Sequence, residues 1–298
     1  MNTALILSLI FAQMIEAQLK QLTQPDSLKH SLQTELGNVP GTFAVAFEDL
    51  QTGKQVLINE REMFHAASTM KTPVMIEVFK QASEGKFRLD DSLVVRNEFR
   101  SIVDRSSYSL ELTDDSDSAM YRLVGKRESI RTLVHHMITV SSNLATNILI
   151  ELVGPKNVTA TMRSLSADSI KVLRGVEDGK AFQLGMNNVT NAIDLMKVFK
   201  SIALKQAVNE QACEEMLAML LDQKFNEKIP GLLPKEVRVA HKTGNITGIE
   251  HDSGVVYLPD GRSYVIVLLS KNLKENKEGV AVLARASRLI YEFVRSSK

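Results

Sequence analysis

Cysteine is nearly absent from the sequence, since Cys213 is the only one among 298 residues, and an internal disulfide is therefore excluded. Cys213 lies in an apolar-periodic stretch, where we expect a buried thiol that packs as a small hydrophobic side chain. The six histidines show no spacing typical of a structural zinc site. We therefore expect neither a metal ion nor a cofactor.

The sequence also lacks an excess of charge of either sign. It has 36 Lys and Arg residues against 35 Asp and Glu residues, a formal net charge of +1. Nucleic-acid-binding proteins usually carry a concentrated basic excess. We expect the partner to be a small molecule or a short peptide, with no nucleic acid involved and the protein a monomer.

No hydrophobic run reaches the roughly 20 residues that a membrane span requires. Residues 4–12 form a shorter apolar run. Cleavage before Gln18 would remove residues 1–17 as a signal peptide, although no Lys or Arg precedes the run. A buried N-terminal helix is the alternative. We favour export, which predicts a secreted or periplasmic protein.

The sequence contains no internal repeat and no low-complexity linker, so residues 18–298 are predicted to form one catalytic domain of the α/β (α+β) class. Strand patterns lie near both ends and helical patterns lie between them. This order predicts one antiparallel sheet flanked by terminal helices, plus an all-helical lobe and a cleft between the two. We place the sheet lobe at residues 18–62 and 222–298, and the helical lobe at residues 63–221. The predicted strands are residues 42–50, 55–59, 237–242, 254–258 and 263–270; the predicted helices are residues 27–36, 69–84, 130–138, 143–153, 157–165, 191–204, 211–221 and 277–295.

The first motif of chemical interest is Ser68-Thr69-Met70-Lys71. A serine hydroxyl is a poor nucleophile until a base lies beside it. If a helix begins at Ser68, then Lys71 lies one turn on, within reach of that hydroxyl. Alone, this pattern is more often a helix cap followed by a surface lysine.

A second motif, Ser141-Ser142-Asn143, precedes a predicted helix. Ser141 could relay a proton between Lys71 and a leaving amine, and Asn143 could hold a substrate amide. The alternative is that Ser and Asn side chains here only cap the helix.

The third motif is Lys242-Thr243-Gly244 on a predicted strand. The lysine offers a charge and Thr243 a hydroxyl to a substrate carboxylate. Gly244 permits a close approach of substrate or backbone. The Asn245 N–H could join that of Ser68 in an oxyanion hole.

Together, the three motifs follow the order and spacing of the Ser-x-x-Lys, Ser-x-Asn and Lys-Thr-Gly elements of penicillin-recognising serine enzymes. From about Ser27 to the C-terminus, the sequence resembles class A β-lactamases. The resemblance implies a β-lactamase-type fold and a bacterial, exported hydrolase. It also implies that Ser68 forms an acyl-enzyme, that Lys71 takes its proton with help from Ser141, that Lys242 and Thr243 receive the substrate carboxylate, and that Asn143 binds the acyl side-chain amide.

The sequence departs from the family in the loop that carries the deacylating glutamate. Counted from Arg174, Val176 takes the place of that glutamate, and Glu177 follows it. The loop is about two residues shorter, and Asn188 stands where an aspartate usually pairs with the arginine. This pattern resembles the penicillin-binding-protein-A branch of the family.

Two further departures lie in the second motif and after the third. Ser142 replaces the usual aspartate of the middle motif. The segment from Asn245 to Ser253 is expected to form a longer hairpin, and His251 stands near the place of a carboxylate-binding arginine.

An acidic run, Asp114-Asp115-Ser116-Asp117, lacks the glycine and terminal Glu of an EF-hand calcium loop. We interpret it as a solvated loop that binds no metal.

Three functions remain open. The first is a class A β-lactamase with Glu177 as the deacylation base. The second is a D-alanyl-D-alanine carboxypeptidase that acts on peptidoglycan stem peptides and releases β-lactams slowly. The third is a non-catalytic penicillin sensor, which is disfavoured because no signalling domain is evident.

Overall fold

The computed structural model describes residues 24–297. The predicted signal peptide, residues 1–17, lies outside this range. Among the helices of the described range, none is both long and apolar enough to cross a membrane.

The elements follow the predicted order of strands, helices and strands. The helices are α1 (Pro25–Gly37), α2 (Lys71–Ser83), α3 (Ser118–Tyr121), α4 (Ile130–Thr139), α5 (Asn143–Val153), α6 (Pro155–Ser164), α7 (Gly179–Gln183), α8 (Ala192–Ala203), α9 (Glu210–Leu221) and α10 (Asn276–Ser296). The strands are β1 (Thr42–Asp49), β2 (Gln55–Ile58), β3 (Phe64–His65), β4 (Ser92–Val94), β5 (Phe99–Arg100), β6 (Ser107–Tyr108), β7 (Arg127–Ser129), β8 (Val189–Thr190), β9 (Arg238–Ile246), β10 (Ile249–Tyr257) and β11 (Ser263–Lys271).

One five-stranded antiparallel sheet joins the two ends of the chain. Its strand order is β2-β1-β11-β10-β9, so β1 from the N-terminal part pairs with β11 from the C-terminal part. This arrangement confirms the predicted fold class. Strand β9 is the last in the order, and its outer edge is left unpaired within this sheet.

The sheet separates two hydrophobic cores. Along β1, alternate side chains enter opposite cores because successive residues of a strand point to opposite faces. Phe43, Val45 and Phe47 pack with α1 and α10, whereas the smaller Ala44 and Ala46 face the helical lobe. The predicted sandwich of terminal helices, sheet and helical lobe follows from this alternation.

Polar side chains fix the starts of several helices in the helical lobe. The residue before each of four helices accepts a hydrogen bond from the backbone N–H three residues on, which is the usual N-cap geometry. These cap residues are Ser129, Ser142, Asn191 and Asn209.

Two features differ from the expected layout. Three two-stranded ribbons, β3–β8, β4–β7 and β5–β6, interrupt the helical lobe. The prediction of a longer hairpin from Asn245 to Ser253 is wrong, because β9 and β10 are joined by a two-residue turn, Thr247 and Gly248. Residues 250–253 are polar in sequence but belong to strand β10, and their side chains are buried and hydrogen-bonded.

Candidate active site

Ser68 lies in a 3₁₀ turn, Ala67–Met70, and the α-helix begins only at Lys71. The expectation that the helix starts at Ser68 is therefore wrong by three residues. Because a 3₁₀ turn has three residues, Ser68 and Lys71 still lie on the same side. In residues 24–297 no hydrogen-bond partner is found for Ser68 Oγ, and catalytic hydrogen bonds are often long before substrate binds.

The residue before Ser68 has a strained backbone. Ala67 has a φ of +45°, in the left-handed region that costs a non-glycine residue about 1–2 kcal/mol. Its N–H donates to Nδ1 of His65 at 3.0 Å, and the hydroxyl of Thr69 donates to the Ala66 carbonyl at 2.6 Å. These local contacts hold the turn that presents Ser68.

Lys71 is completely buried and its ammonium group faces the second motif. Nζ donates to the Ser141 carbonyl at 2.6 Å, to Ser141 Oγ at 3.1 Å and to Asn143 Oδ1 at 2.8 Å. Each of these partners is neutral. Lys71 is thus bound by dipoles rather than by a contacting carboxylate.

The hydroxyl of Ser141 lies between two lysines. Lys71 Nζ is 3.1 Å from Ser141 Oγ and Lys242 Nζ is 3.0 Å from it. Ser141 has a φ of +59°, a backbone conformation that few non-glycine residues adopt and that is often found at functional sites. Lys71 of the first motif and Lys242 of the third motif therefore both contact Ser141, the first residue of the second motif.

Burial lowers the pKa of both lysines, and like charge lowers that of Lys242 further. The pKa of Lys71 falls to about 7, mainly because the site is shielded from water, while the charges of Asp115 and Glu177 oppose that shift. The pKa of Lys242 falls well below its ordinary value because of burial and the charge of Lys71. A neutral amine can accept a proton, so Lys71 has the properties of a general base near pH 7.

Asn143 is held at both ends of its amide group. Its Oδ1 accepts from Lys71, and its Nδ2 donates to the Asp114 carbonyl at 2.9 Å. Nδ2 carries a second hydrogen. That hydrogen is available to a substrate carbonyl.

Strand β9 brings the third motif against the nucleophile. A Cβ added at Gly244 would lie 3.1 Å from the backbone nitrogens of Ser68 and Thr69, a tight contact that favours glycine at this position. Lys242 and Thr243 are both buried, and Lys242 Nζ also donates to the Thr243 carbonyl at 2.9 Å.

Two backbone N–H groups face the cleft beside Ser68. Glu250 lies opposite Asn245 in the ladder but donates its N–H to Ser270 Oγ on the far side. Asn245 therefore belongs to a pair whose N–H groups point away from each other, and its own N–H lies on the free edge of β9. No acceptor for the Ser68 N–H occurs in the part of the chain that the structure describes. Unpaired backbone N–H groups beside the attacking atom are the kind of donor that an oxyanion hole requires.

His251 does not take the place of a carboxylate-binding arginine. It is fully buried, its Nε2 donates to the His65 carbonyl at 2.9 Å, and its Nδ1 accepts the Ser270 N–H at 3.2 Å. Burial lowers its pKa to about 4, so the ring is neutral. His251 links β10 to the strand that precedes the nucleophile turn.

The loop between Arg174 and α7 is clamped by a helix residue. Asn147 on α5 accepts the N–H of Val176 at 2.7 Å and donates to its carbonyl at 3.0 Å. A Cβ on Gly175 would lie 2.3 Å from the Asn147 amide oxygen, so only glycine fits there. Val176, the residue in the place of the family's glutamate, also packs against the helical core.

Glu177 lies close to the lysine pair but does not touch it. Its side chain makes no hydrogen bond within residues 24–297, and its backbone has a φ of +59°. Partial burial raises its pKa, and so does the neighbouring charge of Asp114. The structure therefore places Glu177 within electrostatic range of Lys71 and outside hydrogen-bonding contact.

Neutral groups satisfy the arginine of this loop. The Arg174 guanidinium donates to the carbonyls of Met186 and Gly175, and to Oδ1 of Asn187 at 3.0 Å. Asn188 instead bonds the Arg174 backbone, with Nδ2 3.0 Å from its carbonyl oxygen. Asn188 thus supports the loop by bonding the main chain of Arg174, not its guanidinium group.

The interpretation of the acidic run as a solvated loop holds for Asp114 and Ser116, which are exposed, but not for Asp117, which is buried, and the run also serves as a scaffold. Asp115 bonds the N-terminus of α5, and Ser116 donates to the Val140 carbonyl at 2.6 Å. Asp117 pairs with His136 Nδ1 at 2.7 Å. These contacts span about 20 to 30 residues and leave no local pattern, so this role could not be predicted from the sequence.

Comparisons with known proteins agree with this geometry. A sequence profile described as the beta-lactamase enzyme family matches residues 27–294. A β-lactamase of Bacteroides uniformis is 26% identical over 287 residues, covering 91% of this chain and 93% of its own. The extended-spectrum β-lactamase PER-1 of Pseudomonas aeruginosa is 24% identical over 282 residues, covering 91% of this chain and 88% of its own.

Solved structures share the fold. A β-lactamase from Sphaerobacter thermophilus has a TM-score of 0.78 at 24% identity, covering 90% of this chain and 97% of that one. The structure of PBP-A has a TM-score of 0.78 at 23% identity, covering 90% of this chain and 96% of that one. The resemblance to class A β-lactamases is confirmed: the chain belongs to the β-lactamase enzyme family and is a serine hydrolase.

Proposed function

We propose that this protein is a serine acyl-enzyme hydrolase that recognises β-lactams, with Ser68 as nucleophile and Lys71 as its base. The neutral Lys71 amine takes the Ser68 proton while Ser68 Oγ bonds to the lactam carbonyl carbon. The N–H groups of Ser68 and Asn245 stabilise the oxyanion. As the lactam C–N bond breaks, the proton passes from Lys71 through Ser141 to the leaving nitrogen.

The observation that carries this proposal is the position of Ser141 Oγ between Lys71 and Lys242, at 3.1 and 3.0 Å. A hydroxyl can donate one proton and accept another, so it can pass a proton between an amine and a leaving group. An arriving substrate carboxylate would find the buried N–H donors of the two lysines and the Thr243 hydroxyl.

Time-resolved intact-protein mass spectrometry with benzylpenicillin tests the acylation step. We expect a covalent adduct on the native protein and none on Ser68→Ala. The control is Ser83→Ala, which removes an exposed hydroxyl at the end of α2 and should leave the adduct unchanged. A folded native protein that gains no adduct would refute the proposal.

A second function is favoured by one observation: Val176, not a carboxylate, is clamped by Asn147. With no acidic side chain bonded to Ser68 or Lys71 in the described chain, activation of water for deacylation has no evident base. We therefore propose, as the alternative, a D-alanyl-D-alanine carboxypeptidase that releases β-lactams slowly. Its test is release of D-alanine from an acyl-D-Ala-D-Ala peptide, and absence of release would exclude it.

A further inference from the structure

We propose that Asp115 is a positioning residue of this active site, whose carboxylate holds the N-terminus of α5, and through it Asn143 and Lys71, in the arrangement used for acylation. This inference rests on the proposed function. It gives a role to a carboxylate outside the three motifs, where the middle motif has Ser142 in place of an aspartate.

The contacts of Asp115 converge on the start of α5. Its Oδ2 accepts the N–H groups of Asn143 and Leu144, both at 2.9 Å. These are two of the backbone donors that a helix N-terminus leaves without intrahelical partners. Ser142 Oγ accepts a third, from Ala145, at 3.3 Å. A serine and a distant aspartate thus share the capping of this helix.

The Asp115 carboxylate is itself fixed in place. Its Oδ1 accepts the Asp117 N–H at 3.0 Å, and the Tyr121 hydroxyl donates to Oδ2 at 3.2 Å. Four donors therefore surround one partly buried carboxylate. Such hydrogen bonds to a charged acceptor are about twice as strong as neutral ones.

A single residue, Asn143, connects the Asp115 carboxylate to Lys71 through hydrogen bonds. The backbone of Asn143 bonds Asp115, and its side-chain Oδ1 bonds Lys71 Nζ at 2.8 Å. The other charged groups that face Lys71 are Lys242 on β9 and Glu177 in the loop before α7. Asp115 is the strongest of the carboxylates that favour the protonated amine, ahead of Glu177, and so it limits how far burial lowers the Lys71 pKa.

The neighbouring Asp114 provides a matched control. Its side chain is exposed and makes no hydrogen bond within the described residues, although its backbone carbonyl accepts from Asn143 Nδ2. Asp114→Asn removes the same unit of charge one residue away and leaves every cap contact intact. Asp115→Asn removes the charge and replaces one of the two acceptor oxygens by a donor.

The test compares the pH dependence of benzylpenicillin acylation in the native enzyme, Asp115→Asn and Asp114→Asn. We expect the acid limb of the pH–rate profile to shift to lower pH by about 0.5–1 unit in Asp115→Asn and by less than about 0.2 unit in Asp114→Asn. The plateau rate should fall about tenfold in Asp115→Asn alone, because Asn143 and Ser141 lose their support.

A purely structural cap would lower the plateau without moving the limb, and an equal movement in both variants would indicate a diffuse charge effect; either result would overturn the proposal. Asp115→Ser, which keeps a neutral acceptor, replaces Asp115→Asn if that variant does not fold. The Lys71 titration is followed separately by NMR of ¹³Cε-labelled lysine. If the native enzyme forms no adduct, the proposed function fails while the NMR titration still decides the role of Asp115.

Discussion

In the proposed mechanism, the protonation state of Lys71 governs the first chemical step. Because its pKa is lowered to about 7, the amine is protonated and inactive as a base below that pH and becomes neutral above it. We expect the rate of adduct formation to rise with pH through about 7. Lys71→Arg should reduce acylation by about 10²–10⁴-fold, since the guanidinium stays charged.

The control for Lys71→Arg is Lys80→Arg on the same helix. Lys80 forms a surface ion pair with Glu84, outside the site, so its replacement should leave the rate and the pH profile unchanged. Stopped-flow or quenched mass spectrometry over pH 5–9 supplies the measurement. A Lys71→Arg enzyme with native acylation would remove Lys71 from its role.

Substitutions at Val176 and at Glu177 are expected to change the lifetime of the acyl-enzyme to different extents. Val176→Glu puts a carboxylate at the position that the family uses for deacylation, and we expect the benzylpenicillin adduct to clear at least about tenfold faster. Glu177→Gln should change the lifetime by less than about twofold, because Glu177 contacts neither Ser68 nor Lys71. Strongly prolonged adducts in Glu177→Gln would instead identify Glu177 as the base and favour the β-lactamase function.

The sequence predicted the reactive residues better than the residues that support them. Ser68, Ser141 and Lys242 each lie in a short motif, and the order of the three motifs predicts that these segments meet, as Ser141 and Lys242 do in the structure. Asp115 was assigned to a solvated loop, since its partners, Asn143 and Leu144, follow about 30 residues later. No local pattern reports a hydrogen bond of that range.

Among the structural elements, the loop between Arg174 and α7 depends on the close approach of Gly175 to the side chain of Asn147. Gly175→Ala would force a Cβ to within 2.3 Å of the Asn147 amide, and we expect the free energy of unfolding to fall by about 1–3 kcal/mol. Gly179→Ala is the matched control, because no atom lies within 4 Å of its added Cβ. Urea denaturation of both variants measures the difference, and equal stabilities would contradict the clamp.

Element boundaries were predictable where a cap residue marks them. Helix α5 was predicted at its observed bounds, because Ser142 precedes an apolar periodic run. The sequence predicts the start of strand β10 five residues too late, because residues 250–253 are charged or polar. Their burial is compensated by partners from other segments, such as the pair of Asp252 with His241 Nδ1 at 2.9 Å, and these pairings depend on the tertiary fold.

For the whole molecule, the shared sheet predicts that both cores unfold together. Phe47 is fully buried on the terminal-helix face, with its ring edge-to-face against Tyr264 and Phe293. Phe47→Ala should lower the free energy of unfolding by about 3–5 kcal/mol, in one transition, while acylation per folded molecule stays unchanged. Phe182→Ala, at a position 54% exposed, should cost less than about 1 kcal/mol. Two separate transitions in thermal unfolding would show that the lobes are independent.

The architecture was predictable because strand patterns at both ends of the sequence can share one sheet only if the termini meet. The division into two cores is harder to predict from the sequence. The alternation of phenylalanine and alanine along β1 shows two buried faces but not which helices cover them.

The meeting of three distant segments at Ser141 Oγ has a consequence for biogenesis. Lys71 and Ser141 belong to the helical lobe, whereas Lys242 lies on the edge strand of a sheet that needs both chain ends. A folding intermediate with only one lobe formed would lack the contacts of Ser141 with either Lys71 or Lys242. If Ser68 is acylated as proposed, a penicillin label on it would count only fully folded molecules, and the serine would act as an internal reporter of completed folding.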